Sequence, residues 1–294
     1  MIATGMFNTI ALYALDITQV DVKAWYEYTL QWFAKYEKQP TRMGITAQNY
    51  NPRKTMTFKG GHKKLQQLEF KGIESIAIMA NIPDNDYDAD DVFLSATLSL
   101  YQDNPRLIFS MQEAVIPYDP NYCEKLIKEL FAYVPFSYGI MYRMDADWGP
   151  LWYAYGAVAG KFTKLTREEE QELDKIDSGW LKYYGAPSHW SMRYEPYHLR
   201  NVYPLNFLSS APLDYDVGNG YNLRTFIQSS PEHGELVPLN ERLTSWRVPE
   251  GNIDAIREKL RPSGILLCAR PLTEQEQPSP NALETLRKAF PTGK

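Results

Sequence analysis

Acidic and aromatic residues near the middle of the chain form the arrangement that is most suggestive of catalysis. Asp145 and Asp147 stand two residues apart, and Trp148 follows directly. Paired carboxylates beside an aromatic platform suit the hydrolysis of glycosides or phosphoesters, with His189 or His198 brought in by folding. Aspartate and tryptophan in a loop are far more often turn-formers and packing anchors, so the sequence favours a chain without enzymatic activity.

Metal and cofactor sites have recognisable spacings, and the sequence contains none of them. The four histidines (His62, His189, His198 and His233) form neither an HExxH nor an HxxxH pattern. The two cysteines, Cys123 and Cys268, have no CxxC partner and are predicted to be core thiols. No serine lies in a GxSxG motif. We therefore predict no cofactor and no metal.

The most concentrated charge is the acidic octet DNDYDADD at positions 84–91. Its five carboxylates are Asp84, Asp86, Asp88, Asp90 and Asp91. The alternation is similar to a calcium loop, but the glycine of the sharp turn is absent, and Ser95 stands where that loop needs a glutamate. Two interpretations remain: a solvated loop that prevents edge pairing, and a recognition tip for a basic protein.

The net charge of −5 is unevenly distributed. Between Lys35 and Lys71 there are nine basic residues and two glutamates, a local balance of 9 − 2 = +7, which leaves −5 − 7 = −12 for the rest of the chain. The basic segment lacks the glycine-rich or aromatic spacing of RNA-binding motifs, so we predict no nucleic-acid partner. No apolar run reaches about 18 residues, which argues against a membrane partner. The first residues lack the basic start of a signal peptide and cysteine is scarce, so we expect a cytoplasmic protein.

Hydrophobic periodicity predicts the elements that must position these groups. Asp21 is a candidate N-cap of an aromatic amphipathic helix over residues 21–36, and Asp119 with Pro120 opens a second helix that Pro135 ends. Period-two alternation predicts antiparallel strands in GIESIAIMANI, VFLSATLSLY and RLIFSMQEAVI, and SYGIMYRM is a further strand. The acidic octet joins the first of these strands to the second.

The second part of the chain carries weaker signals in a related order. Thr166 and Glu169 form a capping box, GELVPL and LTSWRV are predicted to form a hairpin, GNIDAIREKL a helix and GILLC a buried strand. We predict an α+β fold of antiparallel sheets with helices packed on one face. Residues 1–150 and 151–294 are expected to form two halves of similar element order, packed together as one globular unit.

The segment from Val92 to Leu267 resembles the immunity proteins that bacteria co-express with secreted antibacterial toxins, in particular the type VI secretion immunity family. The resemblance lies in IPYDPNYCEKLIKELFAYVPFSYG and in the ordered set LRNVYPLNFLSS, LRTFI, GELVPL and LRPSGILL. It implies a cytosolic protein without catalytic activity that binds a cognate toxin and occludes the toxin's active site. The toxin is expected to be encoded by a neighbouring gene.

On this interpretation, the partner-binding residues are the five octet aspartates and the aromatic residues Trp148, Trp152 and Tyr153. Exposed carboxylates steer a basic partner, and Trp and Tyr supply much of the binding energy at protein interfaces. Two alternatives stay open. One is a hydrolase that uses Asp145 and Asp147 with a histidine, and the other is a structural or assembly protein of a secretion or phage-like apparatus. The sequence leaves the oligomeric state unknown.

Overall fold

A computed structural model of the protein describes residues 5–52, 54–82, 92–102, 105–146, 149–155 and 196–267. The strands are β1 (Met6–Leu15), β2 (Arg42–Ala47), β3 (Met56–Thr57), β4 (Ile73–Asn81), β5 (Val92–Ser99), β6 (Arg106–Gln112), β7 (Phe136–Asp145), β8 (Leu205–Leu208), β9 (Asp216–Gly218), β10 (Tyr221–Asn222), β11 (Glu235–Pro238) and β12 (Thr244–Arg247). The helices are α1 (Val22–Lys35), α2 (Phe58–Leu68), α3 (Pro120–Phe131), α4 (Pro150–Ala154), α5 (Ser210–Leu213), α6 (Leu223–Gln228) and α7 (Ile253–Leu260).

One ten-stranded sheet organises the described part of the protein. Its strand order is β11-β12-β8-β7-β1-β6-β5-β4-β2-β3, and β9 and β10 form a separate two-stranded ribbon. Neighbouring strands of the large sheet pair in antiparallel fashion, including the three strands that period-two alternation predicts. The predicted α+β class is therefore confirmed. The sheet continues from β7 to β8, across the predicted boundary between the halves.

The strand β1 lies in the middle of this sheet, between β6 and β7. Its side chains are buried on both faces: Ile10 and Leu12 belong to one apolar cluster, whereas Ala11 and Tyr13 belong to the other. A strand whose two faces both pack against apolar clusters need show no alternation of apolar and polar residues. The period-two criterion therefore cannot recognise it.

The two faces of the sheet carry different helices. Helices α1, α2 and α3 pack on the first face, where they bury residues such as Trp25, Leu65 and Ile127. Helices α4 to α7 pack on the second face, with residues such as Leu223 and Ile256. Among the described residues, each of these two sets of helices occupies one face. The two sets lie on opposite faces of one sheet, an arrangement that the sequence-based prediction did not include.

Chain connections place α1 and α3 on the same face. Helix α3 links β6 to β7, the two strands that flank β1, and α1 leaves the end of β1. Both predicted N-caps are confirmed: an Asp21 side-chain oxygen accepts a hydrogen bond from the Ala24 amide at 2.9 Å, and one from Asp119 accepts from Asn121 at 2.9 Å. The predicted core position of Cys123 is also confirmed, since the free thiol is buried on α3 and burial raises its pKa to about 12.

The second half departs more from the prediction. The hairpin of β11 and β12 and the helix α7 are confirmed. In place of the predicted strand in GILLC, the structure has a single parallel bridge between Leu199 and Leu266. The capping box of Thr166 and Glu169 lies outside the described residues.

Candidate partner-binding surface

Most of the residues predicted to contact a partner lie outside the part of the chain that the structure describes. Positions 83–91, which include the five octet aspartates, and Trp148 are among them. The strands on either side of the octet are direct neighbours in the sheet, with Asn81 paired to Val92. The octet therefore connects two hydrogen-bonded antiparallel strands, as predicted from the sequence.

The structure corrects the prediction for Tyr153. Its side chain is only 2% exposed, and its ring lies 4.7 Å from that of Tyr142 within the cluster on the second face. The Tyr153 hydroxyl is 3.0 Å from that of Tyr203, and the Arg200 guanidinium lies 4.0 Å from the Tyr153 ring centroid. Tyr153 is thus a core residue. Trp152, the adjacent residue of α4, is partly exposed.

The residues of the hydrolase hypothesis are only partly described. Asp145 is the last residue of β7 and pairs with Met6 of β1, whereas Asp147 and His189 lie outside the described residues. His198 lies beside Tyr215, at a ring distance of 5.3 Å. The hydrolase reading therefore stays a sequence-based prediction.

A groove between α1 and α3 forms an aromatic surface within the described residues. Helix α1 contributes Tyr28, Gln31, Trp32 and Lys35, and helix α3 contributes Tyr122, Lys125, Leu126 and Glu129. Each set follows the i, i+3, i+4, i+7 spacing that places side chains on one side of a helix. We call this surface the aromatic groove; it encloses about 220 Å³.

The floor of the aromatic groove is continuous with the core. Trp32 is 4% exposed, and its ring packs edge-on against Phe109 of β6 at 4.9 Å. The Trp32 indole N–H donates a hydrogen bond to the Tyr122 hydroxyl at 2.8 Å. Because a buried indole needs an acceptor, this bond joins the two helices at a defined position. The floor is therefore rigid.

The rim of the aromatic groove combines tyrosines with both signs of charge. The Tyr28 hydroxyl donates a hydrogen bond to a Glu129 carboxylate oxygen at 2.7 Å, and the Lys35 ammonium lies 5.3 Å from the centroid of the Tyr122 ring. Burial, and then the hydrogen bond to Glu129, raise the pKa of Tyr28 above its ordinary value. Burial also raises the pKa of Tyr122. Both hydroxyls therefore stay protonated near neutral pH.

The rim thus combines tyrosines with a neighbouring cation, and tyrosine is enriched among the residues that dominate protein interfaces. Sequence periodicity predicts an aromatic amphipathic helix over residues 21–36. It did not single out Tyr28 and Trp32, because the pairing of α1 with α3 is a long-range contact.

Two further searches of the described residues bear on other classes of site. No group of three or more His, Cys, Asp or Glu side chains in these ranges is placed to hold a metal ion. None of the described helices combines the length and apolar character needed to cross a membrane.

No protein-family model matches this sequence, and no curated protein is significantly similar to it. The Pseudomonas aeruginosa T6SS protein PA0821 has a similar structure, with a TM-score of 0.55, 10% sequence identity, and coverage of 99% of this chain and 89% of that protein. A second solved structure is titled as the toxic C-terminal tip of CdiA from Pseudomonas aeruginosa in complex with immune protein; it covers 47% of this chain and 86% of the other, with 7% identity and a TM-score of 0.24. The second value is too low to support a shared fold. The first shows that this chain shares its fold with a protein of the type VI secretion system.

Proposed function

We propose that this chain is an immunity protein that binds a cognate antibacterial toxin in the cytoplasm and occludes the toxin's active site, without catalysing a reaction itself. The observation that carries the proposal is the fold shared with a T6SS protein over 99% of the chain. The aromatic groove adds support because it offers a rigid aromatic surface to a protein partner. Rigid aromatic side chains lose little conformational entropy when they bind.

Three regions are proposed to contact the toxin. The aromatic groove supplies Tyr28 and Tyr122, Trp152 is partly exposed on α4, and Trp148 and the acidic octet are retained from the sequence analysis. Tyrosine and tryptophan anchors contribute binding energy, whereas exposed carboxylates act mainly on the association rate.

Co-expression with the product of the neighbouring gene tests the proposal. The neighbouring protein alone is expected to arrest bacterial growth, and co-expression of this chain is expected to restore growth and give a complex that co-purifies. A double Tyr28→Ala/Tyr122→Ala variant measures the part played by the groove, with Tyr221→Ala, an exposed tyrosine of β10, as the matched control. If every neighbouring product is harmless and remains unbound, the chain is not an immunity protein.

Replacement of all five octet aspartates by asparagine tests the proposed recognition tip. A single exposed charge pair is worth about 0.2–1 kcal/mol, so one substitution is expected to be nearly silent and five together to slow association at low salt. Thermal melting of both proteins controls for folding. Equal association rates and equal salt dependence would assign the octet to the solvated loop.

A structural component of the secretion apparatus is the second candidate, because the protein of similar fold is a T6SS protein whose role in that system is not specified further. An immunity protein protects cells from one toxin and is dispensable for secretion. A component of the apparatus is required for secretion of every effector. Deletion of the gene, followed by measurement of effector export, distinguishes the two functions.

A further inference from the structure

A second depression lies at the N-terminal end of α3, away from the aromatic groove. It encloses about 430 Å³, and four of its lining residues are prolines: Pro120, Pro204, Pro231 and Pro249. Tyr118 and Arg247 also line it. We call it the proline cleft. Both parts of the chain form it. Tyr118 precedes α3 and Pro120 is its first residue, whereas the other lining residues lie between positions 204 and 249.

The walls of the proline cleft are rigid and offer few hydrogen-bond donors. Proline has no N–H group, and its ring restricts the backbone. The carbonyl groups of Pro204, Pro231 and Pro249 already accept hydrogen bonds from Val248, Gly234 and Asn252. At Gly234, where φ is +91°, a Cβ atom would lie 2.0 Å from the Arg247 carbonyl oxygen, so this wall requires glycine.

Arg247 lines the cleft, and Arg143 lies close to Tyr118 of its wall. Each arginine is bound by an inner, less exposed glutamate (Glu124 or Glu113) and an outer, more exposed one (Glu235 or Glu250). Arg247 donates from Nε and Nη2 to Glu124, both at 2.7 Å, and from Nη1 to Glu235 at 3.2 Å. Arg143 donates from Nε and Nη2 to Glu113, at 2.6 and 3.2 Å, and from Nη1 to Glu250 at 3.1 Å. Each guanidinium therefore uses all three of its nitrogens within the protein.

The two networks leave an excess of negative charge around an apolar cleft. Four glutamates face two arginines, which gives −4 + 2 = −2. The side chains of the outer glutamates, Glu235 and Glu250, are 63% and 51% exposed, so their remaining lone pairs are open to a ligand. Tyr118 lies between the networks, since the Arg143 guanidinium is 5.5 Å from its ring and Arg247 shares the cleft wall with it.

We infer that the proline cleft binds a basic segment of the partner protein, in which an apolar side chain enters the cleft and flanking Arg or Lys side chains pair with Glu235 and Glu250. Apolar prolines and Tyr118 match the apolar side chain, and the exposed carboxylates of Glu235 and Glu250 match cationic donors. An acidic segment is disfavoured because its carboxylates would meet the exposed carboxylates of Glu235 and Glu250. The inference rests on the proposed function, because it assigns chemistry to the partner of that function.

The decisive variant is Glu235→Lys/Glu250→Lys, tested by titration against the purified neighbouring toxin at low and moderate salt. The dissociation constant is expected to rise about tenfold or more at low salt, mainly through slower association. The control Glu69→Lys/Glu258→Lys changes the net charge equally, and its glutamates are 70% and 68% exposed on other elements. Thermal melting checks folding, and Glu235→Gln/Glu250→Gln provides a milder variant that leaves the arginine partners Glu113 and Glu124 in place.

The outcomes separate this inference from the function on which it rests. Binding that is weakened in both cleft variants and kept in the control supports the cleft. Wild-type binding that neither cleft variant weakens overturns the cleft and leaves the proposed function standing. Equal weakening by the cleft and control variants also overturns it, since general charge would then explain the effect. Absence of any toxin that the wild type binds overturns both.

Discussion

The aromatic groove and the proline cleft both border α3, but they differ in how their charged groups are arranged. In the groove, Tyr28 and Glu129 form a hydrogen bond at the rim and Trp32 lies below them in the core. In the cleft, the buried carboxylate of Glu124 orders Arg247, and Glu235 is left largely exposed. The side chains of the groove are therefore held mainly by packing, whereas the charged side chains at and beside the cleft are held by ion pairs.

This difference separates stability from recognition. Residues whose contacts are buried contribute mainly to the free energy of unfolding, because their removal leaves cavities or unpaired charges. Exposed charged residues contribute little to folding and remain available to a partner. Substitutions of buried residues are therefore expected to lower the free energy of unfolding. Substitutions of exposed charged residues are expected to change binding to the partner with little effect on folding.

The largest effect on stability is expected for Trp32→Ala in the groove. Its ring packs against Phe33 and Phe109, so the substitution should cost about 3–5 kcal/mol of unfolding free energy. Urea denaturation measures the loss. Trp32→Phe keeps most of the packing and removes the bond to Tyr122, and should cost less. A loss below about 1 kcal/mol for the alanine variant would contradict a packing role for the groove floor.

The next largest effect is expected for Glu124→Gln in the cleft. The Glu124 side chain is 6% exposed and binds Arg247 through two hydrogen bonds, so loss of its charge should cost about 2–3 kcal/mol. Glu113→Gln, at the equivalent position on Arg143, should cost less because Glu113 is 23% exposed. Equal costs in urea denaturation would show that burial does not distinguish the two ion pairs.

Alkaline pH is expected to weaken the groove more than the cleft. Burial raises the pKa of Tyr28 and Tyr122 in the groove, and raises that of Tyr118 in the cleft to about 12, from an ordinary value of 10.0. The unfolded chain then loses these protons first, so the stabilisation is complete below about pH 10 and falls as the pH rises above it. The slope of unfolding free energy between pH 10 and 11 should flatten more in Tyr28→Phe/Tyr122→Phe than in Tyr118→Phe. A larger flattening in Tyr118→Phe than in Tyr28→Phe/Tyr122→Phe would contradict the larger contribution expected of the groove tyrosines.

The smallest effect on stability is expected for Glu235→Gln/Glu250→Gln. Both carboxylates are at least half exposed and serve as second partners of their arginines, so each substitution should change the unfolding free energy by less than about 1 kcal/mol. Thermal melting and urea denaturation measure this. A larger loss would make these glutamates structural residues and would remove the distinction between inner and outer carboxylates.

Local sequence signals predicted elements whose residue pattern repeats over a few neighbouring positions. The alternation in residues 92–99 and the N-caps Asp21 and Asp119 are properties of neighbouring residues, and the structure confirms them. Cys123 was placed correctly for the same reason, because it lies on the apolar stripe of its helix. The strand β1 was not recognised, since apolar residues on both of its faces remove the alternation, whereas the second face of β5 carries the buried hydroxyl residues Ser95, Thr97 and Ser99.

The sequence by itself thus determined the α+β class, the caps and the strand pattern of the first half, because these depend on residues a few positions apart. Only the tertiary structure decided that the two sets of helices lie on opposite faces, that Tyr153 is buried and that Trp32 meets Tyr122. The same holds for the ion pair of Glu124 with Arg247, whose residues are 123 positions apart. Such contacts depend on strand order and on the path of the chain across the sheet, which hydrophobic periodicity does not encode.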